Sequence, residues 1–167
     1  MLDGMPRVGG GHTPRLKQGD EGQYVGKSFV MNDGQHAPKG HIRGYRDLEL
    51  WRSVMDVAQE VLKLIDGPMF SRRRSLCEQV SRAAISVPSN IAEGNERGTN
   101  RDSIRFLYIA RGSAAELSTQ LELAYRVGAI TAAEHAEIQS KLSKVFNLLG
   151  GMLKMRLARQ ESDNQAK

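Results

Sequence analysis

The sequence predicts an all-α protein: an antiparallel up-down four-helix bundle with a disordered N-terminal extension. Three observations predict it. After Tyr45, four stretches carry apolar residues at three- and four-residue spacings, the period of one helical stripe. Short turn-forming segments, "DGP", "GTNRDS" and the residues around Gly128, separate those stretches. Aromatic residues make up only 5% of the chain, which suits aliphatic helix packing better than a β-sandwich, and no strand competes.

Residues 1–44 read as a flexible Gly-rich extension. They hold ten of the 17 glycines, three prolines and charges of mixed sign, with no long apolar periodicity. Such a composition buries too little surface to offset its chain entropy. Met31 offers a second start, with the first thirty residues then a leader. Residues 45–158 are expected to form the bundle, and residues 159–167 a polar tail.

In the first helix Leu48, Trp51, Met55, Ala58, Leu62 and Ile65 form one stripe, which Val54 and Val61 widen. "DGP" at Asp66, Gly67 and Pro68 ends it, with Gly67 supplying the turn. Ser71 is placed to cap the second helix. Its stripe is Leu76, Val80, Ala84, Val87 and Ile91, and the phase runs unchanged through Pro88. An interior proline costs about 3 kcal/mol and one backbone bond. The unbroken phase nevertheless predicts one continuous, kinked helix. Asn100 is the expected cap of the third helix, with Asp102 in its first turn to suit the dipole. Ile104, Leu107, Ala110, Ala114, Leu117, Leu121 and Ala124 line its buried face, and Gly128 closes it. Thr131 and Glu134 form a capping box for the fourth helix. Ile138, Leu142, Val145, Leu149 and Met152 carry its stripe.

The chemistry to be expected is limited. One cysteine, Cys77, excludes an internal disulfide and a cysteine-based zinc site, and fits a reducing, cytoplasmic setting. No apolar run approaches the roughly 20 residues a membrane span needs. His12, His36 and His41 fall in the extension, and His135 reads as a lone surface histidine. There is no HExxH, phosphate loop or nucleophile elbow, so neither enzymatic activity nor a metal or cofactor is expected.

Arginine is more informative. The chain carries a formal charge of +5 and a pI near 9.6. Eight arginines against Glu78, Glu93, Glu96 and Asp102 leave an excess of +4 (8 − 4) across residues 72–111. Arg72, Arg73, Arg74, Arg82, Arg97, Arg101 and Arg105 are the candidate nucleic-acid contacts, because a guanidinium matches a phosphate in bidentate geometry. Glu78–Arg82 and Glu93–Arg97 stand at i,i+4 and are expected to pair. The competing expectation is a charged face that serves subunit contacts in a structural, protein-interaction oligomer. Between the second and third helices, Asn90, Glu93, Arg111, Ser113 and Glu116 are expected to form a polar network that sets register and kink geometry. Gly94 and Gly112 are small enough for two backbones to approach there.

"YRDLELW", "QVSRAAISVPSNIAEGNERG" and "FLYIARGSAAELSTQLELA" resemble, in order and spacing, the signatures of the S23 family. These are four-helix-bundle proteins named for the intervening sequences of 23S ribosomal RNA genes. The accessory variability protein (Avd) of diversity-generating retroelements is a relative. The resemblance covers about Tyr45 to Leu157. It implies a ring-like homo-oligomer, typically a pentamer, without enzymatic activity. Through the Avd-like relatives it implies RNA or DNA binding and a reverse transcriptase as partner.

Overall fold

A computed structural model describes residues 23–25, 28–30 and 44–166. The chain divides between Gly40 and His41 into two units. In the first, β1 (Gln23–Val25) pairs antiparallel with β2 (Ser28–Val30), Tyr24 opposite Phe29. The sequence reading had no strand there; the rest of the extension lies outside the described residues.

The second unit is helical. A 3-10 turn at Tyr45–Asp47 leads into α1 (Glu49–Ile65), the single turn α2 (Pro68–Ser71), α3 (Arg74–Glu96), α4 (Asn100–Arg126) and α5 (Ala132–Gln165). Around the bundle α1 packs on α3, α3 on α4, α4 on α5, and α5 back on α1. Cross-links between α4 and α5 show the antiparallel register. Asn100 donates to the Arg156 carbonyl (2.8 Å), Ser118 to Gln139 (2.9 Å), and Glu122 meets His135 (3.0 Å). Each step forward along α4 is thus matched by a step back along α5.

The stripes expected for α3 and α4 are buried, Leu76 only partly. That of α5 is also buried, with Leu153 in place of Met152. The first stripe is rotated from expectation. Leu50, Val54, Val57 and Val61 face the core with Ala58 and Ile65, whereas Met55 is 40% exposed and Trp51 and Leu62 are half-buried.

The turns also differ in detail. Ser71 ends α2, and Arg73 rather than Ser71 precedes α3. Pro68 opens α2 at a position whose N–H needs no partner, and Phe70 seals the corner, 1% exposed. Gly67 leaves α1 in extended geometry; among the described residues only Gly128 takes a positive φ, +68°. Thr99, not Asn100, caps α4, its hydroxyl accepting from the Asp102 N–H at 3.1 Å. At α5 both arms of the capping box form between Thr131 and Glu134, and the helix runs on through the expected polar tail to Gln165.

Helix α3 continues through Pro88. Proline withholds one N–H and crowds the preceding turn. Ser89 and Asn90, the next two residues, return side-chain hydrogen bonds to the carbonyls of Ile85 and Ser86 (both 2.8 Å).

A Cβ on Gly94 would sit 2.7 Å from Phe106 Cβ, so Gly94→Ala destabilises by about 1–3 kcal/mol in urea unfolding. Gly112→Ala, whose Cβ meets open space, stabilises by up to about 1 kcal/mol instead. Thr131→Ala costs α5 about 1 kcal/mol at neutral pH. The Thr131 backbone N–H, and then its hydroxyl, hold the Glu134 carboxyl below its ordinary pKa. That contribution is present above the unfolded carboxyl pKa and is lost as pH falls through the lower folded one. Only the hydroxyl's share is absent from the variant, so the gap between the two denaturant midpoints narrows in acid without closing, because the Glu134 N–H bond to the Thr131 hydroxyl does not titrate.

Candidate nucleic-acid interface

The α3–α4 seam brings the chemistry together. On a helix, residues four apart form a surface ridge. One such ridge on α3 runs Arg74, Glu78, Arg82, Ser86 and Asn90; one on α4 runs Arg101, Arg105, Ile109 and Ser113. They meet where Ser86 Oγ lies 2.9 Å from Ser113 Oγ. Asn90 Nδ2 donates to Ser86 Oγ (3.0 Å), and the Ser113 hydroxyl donates to the Ile109 carbonyl (3.0 Å). One proton order satisfies every group: Asn90 to Ser86, Ser86 to Ser113, Ser113 to Ile109 O.

This relay replaces the expected five-residue network. Ser113 belongs to it, and Asn90 reaches α4 only through Ser86. Glu93 pairs with Arg97 on its own chain segment, Glu116 accepts from Gln120 (2.9 Å), and Arg111 lies exposed beside α5. Glu93 shares the Ser86 face two turns on but is taken up by Arg97, while Arg111 lies toward α5 and Glu116 is engaged along its own helix. Ser86 was missed, although its i,i+4 spacing to Asn90 was the available signal. Gly94 does permit the close approach expected of it, whereas Gly112 faces open space.

The candidate arginines separate into two groups. At the α3 N-terminal end, Arg72, Arg74 and Arg82 are exposed. Arg73 is not free: it donates to the Met69 carbonyl (3.2 Å) and to the Val127 carbonyl (2.7 Å), tying α2 to the end of α4. Glu78 approaches Arg74 (3.6 Å) instead of the expected Arg82, both side chains being mostly solvated. At the other end Arg97 and Arg105 lie over the Phe106 ring, 5.1 and 5.9 Å from its centroid, with Arg101 exposed beside them. The hydrogen bond Arg97 donates to the Glu93 carboxylate, and then that carboxylate's charge, raise the Arg97 pKa. Among the described residues no carboxylate pairs with Arg72, Arg82, Arg101, Arg105 or Arg111.

Other polar groups hold the bundle itself. His135 is not the free surface residue expected: its Nε2 meets Glu122, and its ring stacks on Tyr125 at 4.9 Å. Lys141 links Glu60 of α1 to Glu137 of α5, and Lys144 reaches Glu49 (3.1 Å). Cys77 is half-buried, its thiol 3.9 Å from the Ile65 carbonyl. Among the described residues no three His, Cys, Asp or Glu side chains are grouped to hold a metal, and no helix is long and apolar enough to cross a membrane.

Comparison with known proteins supports one lineage. A solved structure from Bacteroides thetaiotaomicron VPI-5482, described as a protein of unknown function from the S23 ribosomal protein family, is similar in fold. It is 23% identical with a TM-score of 0.58, over 63% of this chain and 98% of that one. No curated protein matches. The family model of the 23S rRNA-intervening sequence proteins matches residues 46–151, which takes in α1, α3 and α4 whole and α5 as far as Gly151. The match takes in well over half of the 167 residues, and the chain belongs to the 23S rRNA-intervening sequence protein family.

Proposed function

We propose that this chain is a cytoplasmic, non-enzymatic, homo-oligomeric bundle that binds RNA or DNA through the exposed arginines of α3 and α4. The observation that carries the reading is the set of exposed arginines before and along α3 and in the first turns of α4, with no carboxylate to neutralise Arg72, Arg82, Arg101 or Arg105 among the described residues. Guanidinium groups left free in this way suit phosphate oxygens, and contact with them is largely independent of sequence. The finer role, accessory subunit to a reverse transcriptase in a diversity-generating retroelement, is supported by the likeness of the motifs to those of the Avd relatives.

Self-association is supported by a separate surface. Between α1 and α3 a groove of about 630 Å³ is lined by Trp51, Met55, Leu62, Ile85 and Pro88, with Tyr45 at its rim. Ile85 is 50% exposed on one wall and Met55 40% on the other. Apolar side chains in a rimmed groove are what a subunit contact covers. This groove also favours the second reading, an interaction scaffold indifferent to nucleic acid, and the two readings part on a binding titration.

Titrating labelled duplex with the full chain at several salt concentrations tests the reading. Affinity falls steeply with salt, and replacing Arg74, Arg82, Arg101 and Arg105 by alanine makes the log–log slope shallower by about 3 to 4. Equal affinity and slope in the two proteins sinks the phosphate-binding surface in favour of the scaffold. For assembly, Met55→Asp with Ile85→Asp brings the light-scattering mass down to the 18.5 kDa of one chain while helicity is retained. An unchanged mass places the subunit contact elsewhere.

A further inference from the structure

A second groove lies across the bundle from the first. It runs between α4 and α5, encloses about 430 Å³, and is lined by Tyr108, Arg111, Lys154, Leu157, Ala158 and Glu161. Tyr108 is 49% exposed and Leu157 37%. Because α1 packs on α3 and α4 on α5, this face is opposite the α1–α3 groove and separate from it. Helix α5 also outruns the helix beside it. Its Arg156 carbonyl meets Asn100, the first residue of α4. Residues 157–165 therefore continue past α4 as a helical arm about 13 Å long at 1.5 Å per residue.

Two charges on this face have no partner in their own chain. Residues three or four apart are the neighbours on a helix surface. Around Lys154 these are Gly150, Gly151, Leu157 and Ala158; around Glu161 they are Leu157, Ala158, Asn164 and Gln165. Among the described residues neither charge pairs with another element. The last turn of α5 likewise carries no basic residue to offset the partial negative charge of a helix C-terminus. Gly150 and Gly151 weaken the helix relative to alanine, although a Cβ on either would meet open space.

We infer that the occupant of this face is a second copy of this chain, its α5 arm laid antiparallel in the α4–α5 groove while its own groove takes the first copy's arm. Lys154 and Glu161 stand two turns apart, equally spaced about the step from Leu157 to Ala158. A two-fold axis through that step sets each Lys154 opposite Glu161 of the other copy and each Leu157 against Ala158, so one set of side chains serves both copies. Gly150 and Gly151 then underlie the end of the incoming arm, where a missing Cβ lets two helices approach. The arm's terminal carbonyls arrive beside Arg111, a cation for the helix end that lacks one. The contact is small, of the size that forms transiently, and it does not depend on the α1–α3 groove.

The test cross-links the full chain with a zero-length carbodiimide, which joins an amine to a carboxylate already in contact. Equal parts of isotope-labelled and unlabelled protein are mixed at about 1 mM, where even weak contacts fill. A mixed-isotope Lys154–Glu161 product is expected. Leu157→Asp lowers its yield about tenfold with helicity retained, whereas Leu123→Asp, exposed outside this groove, leaves it unchanged. Lys154→Glu abolishes the product, and Lys154→Glu together with Glu161→Lys, the same pair reversed, restores it. The product also forms in the chain carrying Met55→Asp and Ile85→Asp, and its loss there would trace it to the α1–α3 assembly and overturn the inference. Absence of a mixed product at these two residues overturns it as well, as does a yield indifferent to Leu157→Asp.

Discussion

The close approach of α3 and α4 governs the rest of the bundle. Gly94 lies directly against the Cβ of Phe106, and Ala83, Ala84, Ala110 and Ala114 are each at most 2% exposed. Small side chains bury little apolar area apiece. What they permit is backbone-to-backbone proximity, where many weak dispersion contacts add up and packing density is highest. Two rigid helices locked at such a contact have one free variable left, their sliding register, and everything placed along them inherits it. The Thr99-capped turn, the Asn100 bond to the Arg156 carbonyl and both arginine groups fall where that register puts them.

Alanine contacts alone define register weakly, because one small residue replaces another when the helices slide by a turn. The relay from Asn90 through Ser86 and Ser113 removes that freedom. Slippage would part the two hydroxyls and leave half-buried polar groups unmatched, at a cost of about 1–3 kcal/mol each. In register every donor has an acceptor, and the chain ends on a helical carbonyl whose second lone pair is free. A buried polar chain of this kind contributes less to total stability than to the choice of one arrangement among several. Its nearness to Pro88 is no accident of spacing: the same Asn90 amide serves the Ser86 carbonyl in the turn that proline disturbs.

Helices α3, α4 and α5 were legible because the stripe of each met the core almost unchanged, although Ile85, Tyr108, Leu123 and Met155 stay exposed off it. Helix α1 carries two overlapping stripes. Leu50, Val54, Val57 and Val61 form a row of mostly compact, β-branched residues, and Trp51, Met55 and Leu62 form a bulkier row beside it. Periodicity reports that a face is apolar; it cannot say which part meets the core and which lines an open groove. The core took the compact row and the groove took the other. The Thr131–Glu134 box and the Gly128 closure were readable since each needs only local residues. The serine bridge was only half readable: the Ser86–Asn90 spacing is local, but Ser113 lies 27 residues from Ser86.

Arginine density along a chain is likewise a poor guide to density in space. Helix α3 runs the length of the bundle, about 33 Å, so residues 72–111 put their charge at two ends and not in one patch. One of three consecutive arginines, Arg73, is consumed by carbonyls while its neighbours stay solvated. Where the charge remains, it stands against the field of the helices. The first turn of α3 holds Arg74 and no acid, with Arg72 and Arg73 just ahead, and Arg101 is the second residue of α4. A helix N-terminus carries a partial positive charge, and a cation there costs roughly 0.3–1 kcal/mol. At α4 the carboxylate of Asp102 offsets this; at α3 nothing in the first turn does. A phosphate beside the α3 end reverses the sign of both contributions at once, since arginine and helix terminus then attract the same anion. On the nucleic-acid reading proposed above, the charge that opposes the α3 terminus would favour an anion beside it.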